Sequence, residues 1–249
     1  MKSPGAVAFS IMGFSVRWYG ILIAIGAVLA VLIGCRRAPR HGMTSDHLLD
    51  YVLIALPLGV VGARAYYVLF NLEDYGSDIM KMINIRLGGL AIHGGLIAAF
   101  AAVFIMSRIR RDSFFNLCDL AAPCVALAQS IGRWGNFFNE EAHGSITDFP
   151  IYVLIDGVHY HATFLYESAW CLMLFLLLSH LDKHREFTGQ IACLYCMLYS
   201  LERFFVETLR TDSLMVGPFK QAMVISVCIF ATGAAAYMIL SKKALKKQD

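Results

Sequence analysis

Charge is what this 249-residue sequence has least of: Asp, Glu, Lys and Arg make up 16% of it, hydrophobic residues 58%, and mean hydropathy is +0.62. A soluble domain carries about 25% charged residues, so a water-surrounded globule is excluded. The net charge of +3 is spread along the chain and forms no basic patch, so no nucleic-acid partner is expected. Met1–Ser15 contains one lysine, no long apolar core and no small-residue cleavage site, so no cleavable signal peptide is expected. There is no low-complexity linker and no internal repeat. The seven cysteines lie nearly all in apolar runs, where Cys behaves as a small hydrophobe. Cys193-x-x-Cys196 has redox or zinc spacing but falls mid-span with no second pair beside it. No Ser-His-Asp set, HExxH or nucleotide-binding glycine loop is present. His93, His143, His161 and the glutamates include no short-spaced ligand pair, so no metal site is expected.

Long apolar stretches are present instead, several of them near the ~20 residues that cross a bilayer. They predict an all-α integral membrane protein of about seven transmembrane helices, a single polytopic domain over residues 1–249. The spans are expected at Trp18–Gly34, His47–Phe70, Gly88–Ser107, Asn116–Phe138, Thr163–Leu181, Gly189–Leu209 and Gln221–Ser241. A polar loop from Asn71 to Leu87 is expected to hold a short interfacial segment. A longer loop at about 139–161 is expected outside the cytoplasm, partly extended at Pro150–Ile155. Lys and Arg in alternate loops number twelve on one side (Arg36 to Lys247) and six on the other (Lys2 to Lys220, Arg86 among them). The excess marks the cytoplasmic side, placing the N-terminus outside and the C-terminus inside.

That topology sets Tyr19, His93, Glu167, Arg64, Arg133 and Arg203 at similar depth, near the outer ends of six spans. Intramembrane ionisable residues are costly unless paired or used, so a polar chamber toward the outer leaflet is expected. Its centre is GRWGNFFNEEAHG, Gly132–Gly144, where an apolar run gives way to Arg133, Asn136, Asn139, Glu140, Glu141 and His143. A bland helix end with a snorkelling arginine explains Arg133 but not the crowd around it. In LYSLERFFVETLR, Tyr199, Arg203 and Glu207 recur every four residues and share a helical face; Glu202 points off it toward another helix. The plain alternative is an Arg203–Glu207 pair that only neutralises a buried charge. Arg133 and Arg203 would supply two fixed cations suited to phosphate oxygens, and in a membrane the obvious phosphate is a phospholipid head group. His93, in GGLAIHGG, is a proton acceptor or substrate holder in one reading and a packing residue in the other. Glu167, in HATFLYES, needs a partner, with Arg64 or Arg133 the natural candidate.

Together these segments resemble the bacterial prolipoprotein diacylglyceryl transferase family. GRWGNFFNEEAHG is similar to its signature, and VRWYG, GGLAIHGG, HATFLYES and YSLERFFVETLR resemble other family segments in the same order, over about Ser10–Asp212. Ala162 and Phe164 stand where a proline and a glutamine are usual. The resemblance implies transfer of the diacylglyceryl group of phosphatidylglycerol to the lipobox cysteine of preprolipoprotein signal peptides, with release of glycerol phosphate. It implies a multi-pass enzyme of the bacterial cytoplasmic (inner) membrane, working toward the outer leaflet without cofactor or metal. It also implies catalytic roles for His93, Arg133 and Arg203, and substrate-site roles for Tyr19, Asn136, Asn139, Glu141, Gly144, Tyr199 and Glu207.

Two rivals use the same residues. An anion transporter or channel would carry polar residues through to the cytoplasmic side, whereas the inner halves here are mostly apolar. A diverged lipid-binding relative would keep the arginines and have a different acceptor.

Overall fold

The computed structural model describes residues 1–11, 13–76, 78–85 and 88–246. Arg86 and Lys247, counted above among loop cations, and Leu87, the expected loop end, lie outside the described residues. Long helices form where apolar runs were read: α1 Trp18–Arg37, α2 Ser45–Phe70, α5 Ile92–Arg110, α6 Phe114–Asn139, α7 Thr163–Leu181, α8 Gln190–Leu209 and α9 Gln221–Leu245. The short helices α3 (Leu72–Tyr75) and α4 (Ile79–Ile83) occupy the loop between α2 and α5. The described residues also form three two-stranded antiparallel hairpins: β1 (Val7–Ile11) with β2 (Phe14–Arg17), β3 (Tyr152–Ile155) with β4 (Val158–His161), and β5 (Met215–Val216) with β6 (Phe219–Lys220).

Among the described residues, 6 helices are long and apolar enough to cross a membrane: 18–41, 45–70, 92–110, 114–139, 163–184 and 221–245. The protein is an all-α integral membrane protein. α8 has the length, with 20 residues, but Glu202, Arg203 and Glu207 in its second half make it less apolar. Helices suit this setting because they satisfy every backbone group internally. Pro57 and Pro123 stand inside α2 and α6 without ending them.

The chain packs as two compact units. One, Cys35–Leu117, is built on α2 against α5. Lipid tails are as apolar as leucine, so close approach has to hold such helices together, and small residues permit it. A Cβ on Gly62 would fall 2.2 Å from Ala98 Cβ, and one on Gly94 2.4 Å from the Gly62 carbonyl oxygen. Arg64, buried on α2, spends its guanidinium on four backbone carbonyls: Met82 and Lys81 at 2.7 Å, Gly88 at 2.7 Å and Gly89 at 3.0 Å. Its charge also lies over the Tyr75 ring, 5.2 Å from the centroid. Gly88 and Gly89 have φ of 84° and 74°, so the chain turns there under Arg64 and α5 starts only at Ile92. A span from Gly88 was expected; a side chain's grip on these carbonyls leaves no hydropathy signal. At the other end of α2, Asp112 accepts from Tyr51 Oη at 2.5 Å and contacts His47 Nε2 at 2.8 Å.

The other unit comprises Met1–Gly34 and Cys118–Asp249. Here α8 lies against both α7 and α9. Ala122, Ala126, Leu174, Leu178 and Ile191 form its core. Asp119, fully buried on α6, caps α8 by accepting from Gly189 N at 2.6 Å and Ala192 N at 2.9 Å, and Arg185 Nη1 donates to it at 3.3 Å. Ser130 and Ser168 cross-link α6 and α7, each hydroxyl donating to the other residue's carbonyl at 2.9 and 2.8 Å. Bonds of this kind inside a membrane contribute about 0.6 kcal/mol each. The first residues dock on the β3–β4 hairpin, Met1 donating to the Tyr152 carbonyl and accepting from Leu154 N, both at 2.7 Å.

Candidate functional site

The candidate site lies in the second of these units, where α6, α7 and α8 bring three charged side chains together. Glu167 on α7 is fully buried, and its Oε1 is 3.1 Å from Arg133 Nη2 on α6 and 3.2 Å from Arg203 Nη1 on α8. Arg203 Nη2 is also paired with Glu207 Oε2 at 2.6 Å, one helical turn along. Arg133 Nη2 donates to Tyr199 Oη at 3.2 Å. Tyr199 in turn stacks on Tyr195, with ring centroids 5.6 Å apart, and Tyr195 Oη donates to Gln129 Oε1 at 2.7 Å. One carboxylate thus holds two guanidinium groups that would otherwise repel each other, and both keep some exposure, 20% for Arg133 and 18% for Arg203. Guanidinium groups placed this way present further donors in a planar fork, the geometry that binds phosphate.

The partner expected for Glu167 resolves in favour of Arg133, joined by Arg203. Arg64 serves its own unit's carbonyls instead. Glu202 was expected to pair with another helix, and the structure corrects this. It is 7% exposed, and neither of its carboxyl oxygens has a hydrogen-bond partner among the described residues. Its charged neighbours are Glu167, Arg133 and Arg203.

The signature's other residues divide by role. Gly135 is buried because the Tyr19 ring of α1 lies directly over it; a Cβ there would be 2.4 Å from Tyr19 Cδ2. Asn136 is half-buried, and its carbonyl accepts from Glu141 N at 3.1 Å, turning the chain out of α6. Asn139 Nδ2 donates to Glu141 Oε1 at 3.2 Å. Gly144 works through its backbone. Its N–H donates to the His161 carbonyl at 3.0 Å, it bridges to Arg210, and the next N–H, of Ser145, donates to the Leu209 carbonyl at 2.8 Å. A Cβ on Gly144 would meet His161 Cβ at 2.7 Å, so glycine alone lets the 139–161 loop clamp the end of α8. Arg210 then forks onto Asp212 at 2.9 and 2.7 Å. The hydrogen bond from Arg210 outweighs burial and holds the Asp212 carboxyl below its ordinary range.

Ala162 is fully buried at the start of α7. Phe164 packs on Trp134 and Phe137, with centroids 5.4 and 4.9 Å away, an aromatic contact where a glutamine would have been polar. His93 belongs to the Cys35–Leu117 unit, in the first turn of α5; it is exposed there, its ring 6.4 Å from that of Tyr66. Sequence reasoning missed Ser130, Trp134 and Ser168 as supports of α6 on α7, where Trp134 Nε1 donates to Ser168 Oγ at 3.1 Å. The four-residue spacing of Ser130 and Trp134 was the available signal. Among the described residues, no group of three or more His, Cys, Asp or Glu side chains is arranged to hold a metal ion.

Fold and site together define a multi-pass membrane protein with a paired-arginine cluster set among its helices. Residues 6–239 match the family described as prolipoprotein diacylglyceryl transferase, and the chain belongs to that family. It is 46% identical over 237 residues to a phosphatidylglycerol–prolipoprotein diacylglyceryl transferase of Clostridioides difficile (strain 630), covering 95% of this chain and 96% of that one. Similarity extends to the proteins of the same name from Clostridium kluyveri (46% over 230 residues, 88% and 90%) and Finegoldia magna (43% over 244 residues, 98% of each). Membership makes it a transferase of lipoprotein biosynthesis.

Proposed function

We propose that this protein transfers the diacylglyceryl group of phosphatidylglycerol to the lipobox cysteine of preprolipoproteins. The observation that carries the reading is the sharing of Glu167 by Arg133 and Arg203. The two guanidinium groups bind the lipid phosphate, displacing part of the Glu167 contact, and stabilise the charge that grows on phosphate as it leaves. The cysteine sulfur attacks the diacylglyceryl carbon that carries the phosphate ester, and the bond from that carbon to the phosphate oxygen breaks. Its electron pair departs with glycerol phosphate, and a thioether remains. The thiol proton passes to a base, for which His93 is the candidate; its other role is to hold the lipid. A thiolate is a strong nucleophile, so positioning and leaving-group stabilisation suffice. Tyr19, Asn136, Asn139, Glu141, Gly144, Tyr199 and Glu207 shape and support the substrate site.

With the seven long helices taken as spans, loop charges favour an N-terminus outside, which sets the arginines toward the outer leaflet of the bacterial cytoplasmic membrane. That is the side on which a lipoprotein signal peptide presents its cysteine. Purified protein with phosphatidylglycerol should release glycerol phosphate only when a lipobox peptide is added. Release without the peptide would mean lipid hydrolysis and would reject the transferase reading for this chain.

A further inference from the structure

Arg133 and Arg203 are donors, and a phosphodiester offers only acceptors, so the pair accounts for the phosphate and nothing more. The rest of the cluster has the opposite excess. Among the described residues, no donor hydrogen-bonds Glu202 Oε1, Glu202 Oε2 or Glu167 Oε2, and all three atoms are buried. Glu207 Oε2 lacks an aligned hydrogen bond as well, though it keeps its ion pair with Arg203. Buried acceptors left without donors are costly, and a group that persists in that condition needs an explanation. The ion pairs that hold the arginines are made by Glu167 and Glu207; among the described residues Glu202 makes none, although both arginines are charged neighbours of it. On α8 it stands three residues after Tyr199 and one before Arg203, so all three project within about 100° of one another around the helix.

We propose that Glu202 reads the hydroxyl groups of the lipid head group: its two carboxyl oxygens accept from the terminal diol while the arginines hold the phosphate. This rests on the transferase reading and deepens it by assigning a residue to head-group selectivity. A neutral diol satisfies buried acceptors without adding charge, and a phosphate with two adjacent hydroxyls matches donor and acceptor sites set side by side.

The test compares transfer from phosphatidylglycerol with transfer from phosphatidylpropanol, which has the same charge and nearly the same size but no head-group hydroxyl. Wild type should prefer phosphatidylglycerol by about tenfold or more in kcat/KM. Glu202→Leu should bring the ratio of the two lipids close to one. Glu202→Gln keeps one acceptor oxygen and should give an intermediate ratio. A ratio unchanged in Glu202→Leu, including equal loss on both lipids, would overturn the proposal. If Glu202→Leu is inactive with both lipids, Glu202→Gln decides, and a wild-type ratio there would overturn it. Wild type inactive with both lipids would instead reject the transferase reading.

Discussion

Glu167→Gln is the perturbation that most exposes how the arginine pair is held. The substitution keeps shape and volume and removes only the charge shared by Arg133 and Arg203. Their terminal nitrogens lie 3.1 and 3.2 Å from one oxygen, hence no more than 6.3 Å apart by the sum of those distances. Two unit charges at that separation repel by about 2.6 kcal/mol at an effective dielectric constant of 20. Removing one partner of a buried ion pair costs roughly 3–5 kcal/mol in comparable cases, and Glu167 is fully buried. For a chain of this length that corresponds to a melting-temperature drop of roughly 6–20 °C. The assay is thermal unfolding of purified protein in detergent, run with and without phosphatidylglycerol. Lipid phosphate should restore the missing counter-charge, so the lipid should raise the variant's melting temperature more than that of wild type. Transfer should still fall, because the guanidinium groups lose their fixed spacing. A variant that melts with wild type, or gains no more from lipid, would refute the idea that Glu167 holds the pair.

Arg133→Ala and Arg203→Ala should each abolish transfer while the protein still inserts into membranes; full activity in Arg203→Ala, measured by adduct formation, would reject the phosphate clamp. His93→Gln should lose much of the activity, and wild-type rates across pH would make His93 a packing residue. Gly144→Ala places a Cβ 2.7 Å from His161 Cβ, so overpacking of about 1–3 kcal/mol and loosening of the 139–161 loop should appear as a lower melting temperature and faster loop proteolysis. The Asp212 carboxyl is held low by the hydrogen bond from Arg210, so its stabilising contribution is fully present above the ordinary carboxylate range and lost as pH falls through the folded value. The melting difference between wild type and Asp212→Asn should therefore be constant from about pH 8 to pH 5 and shrink below about pH 4.

The helices were legible because their signal is carried by runs of side chains: each long apolar stretch became a long helix. The start of α5 was missed by four residues because Arg64 captures the Gly88 and Gly89 carbonyls, and a contact between a helix and a distant loop leaves no periodicity. Within the site, the four-residue spacing of Tyr199, Arg203 and Glu207 foretold the Arg203–Glu207 pair. The choice of Arg133 for Glu167 over Arg64 depended on which helices touch, and sequence spacing does not encode that. Glu202 was read as facing another helix, and it has Arg133 of α6 and Glu167 of α7 as neighbours; that its carboxyl oxygens gain no hydrogen bond there was not readable from spacing. Gly144 was singled out as a substrate residue, and its observed contacts are backbone hydrogen bonds that tie the loop to α8. The 0% exposure of Glu167 likewise comes from tertiary packing alone.

The most direct test incubates purified protein with phosphatidylglycerol and a synthetic lipobox peptide and measures the peptide's mass. A gain equal to one diacylglyceryl group, located on the cysteine and absent with Arg133→Ala, is expected. Bound lipid with an unmodified peptide would contradict the transferase reading and leave a lipid-binding relative in its place.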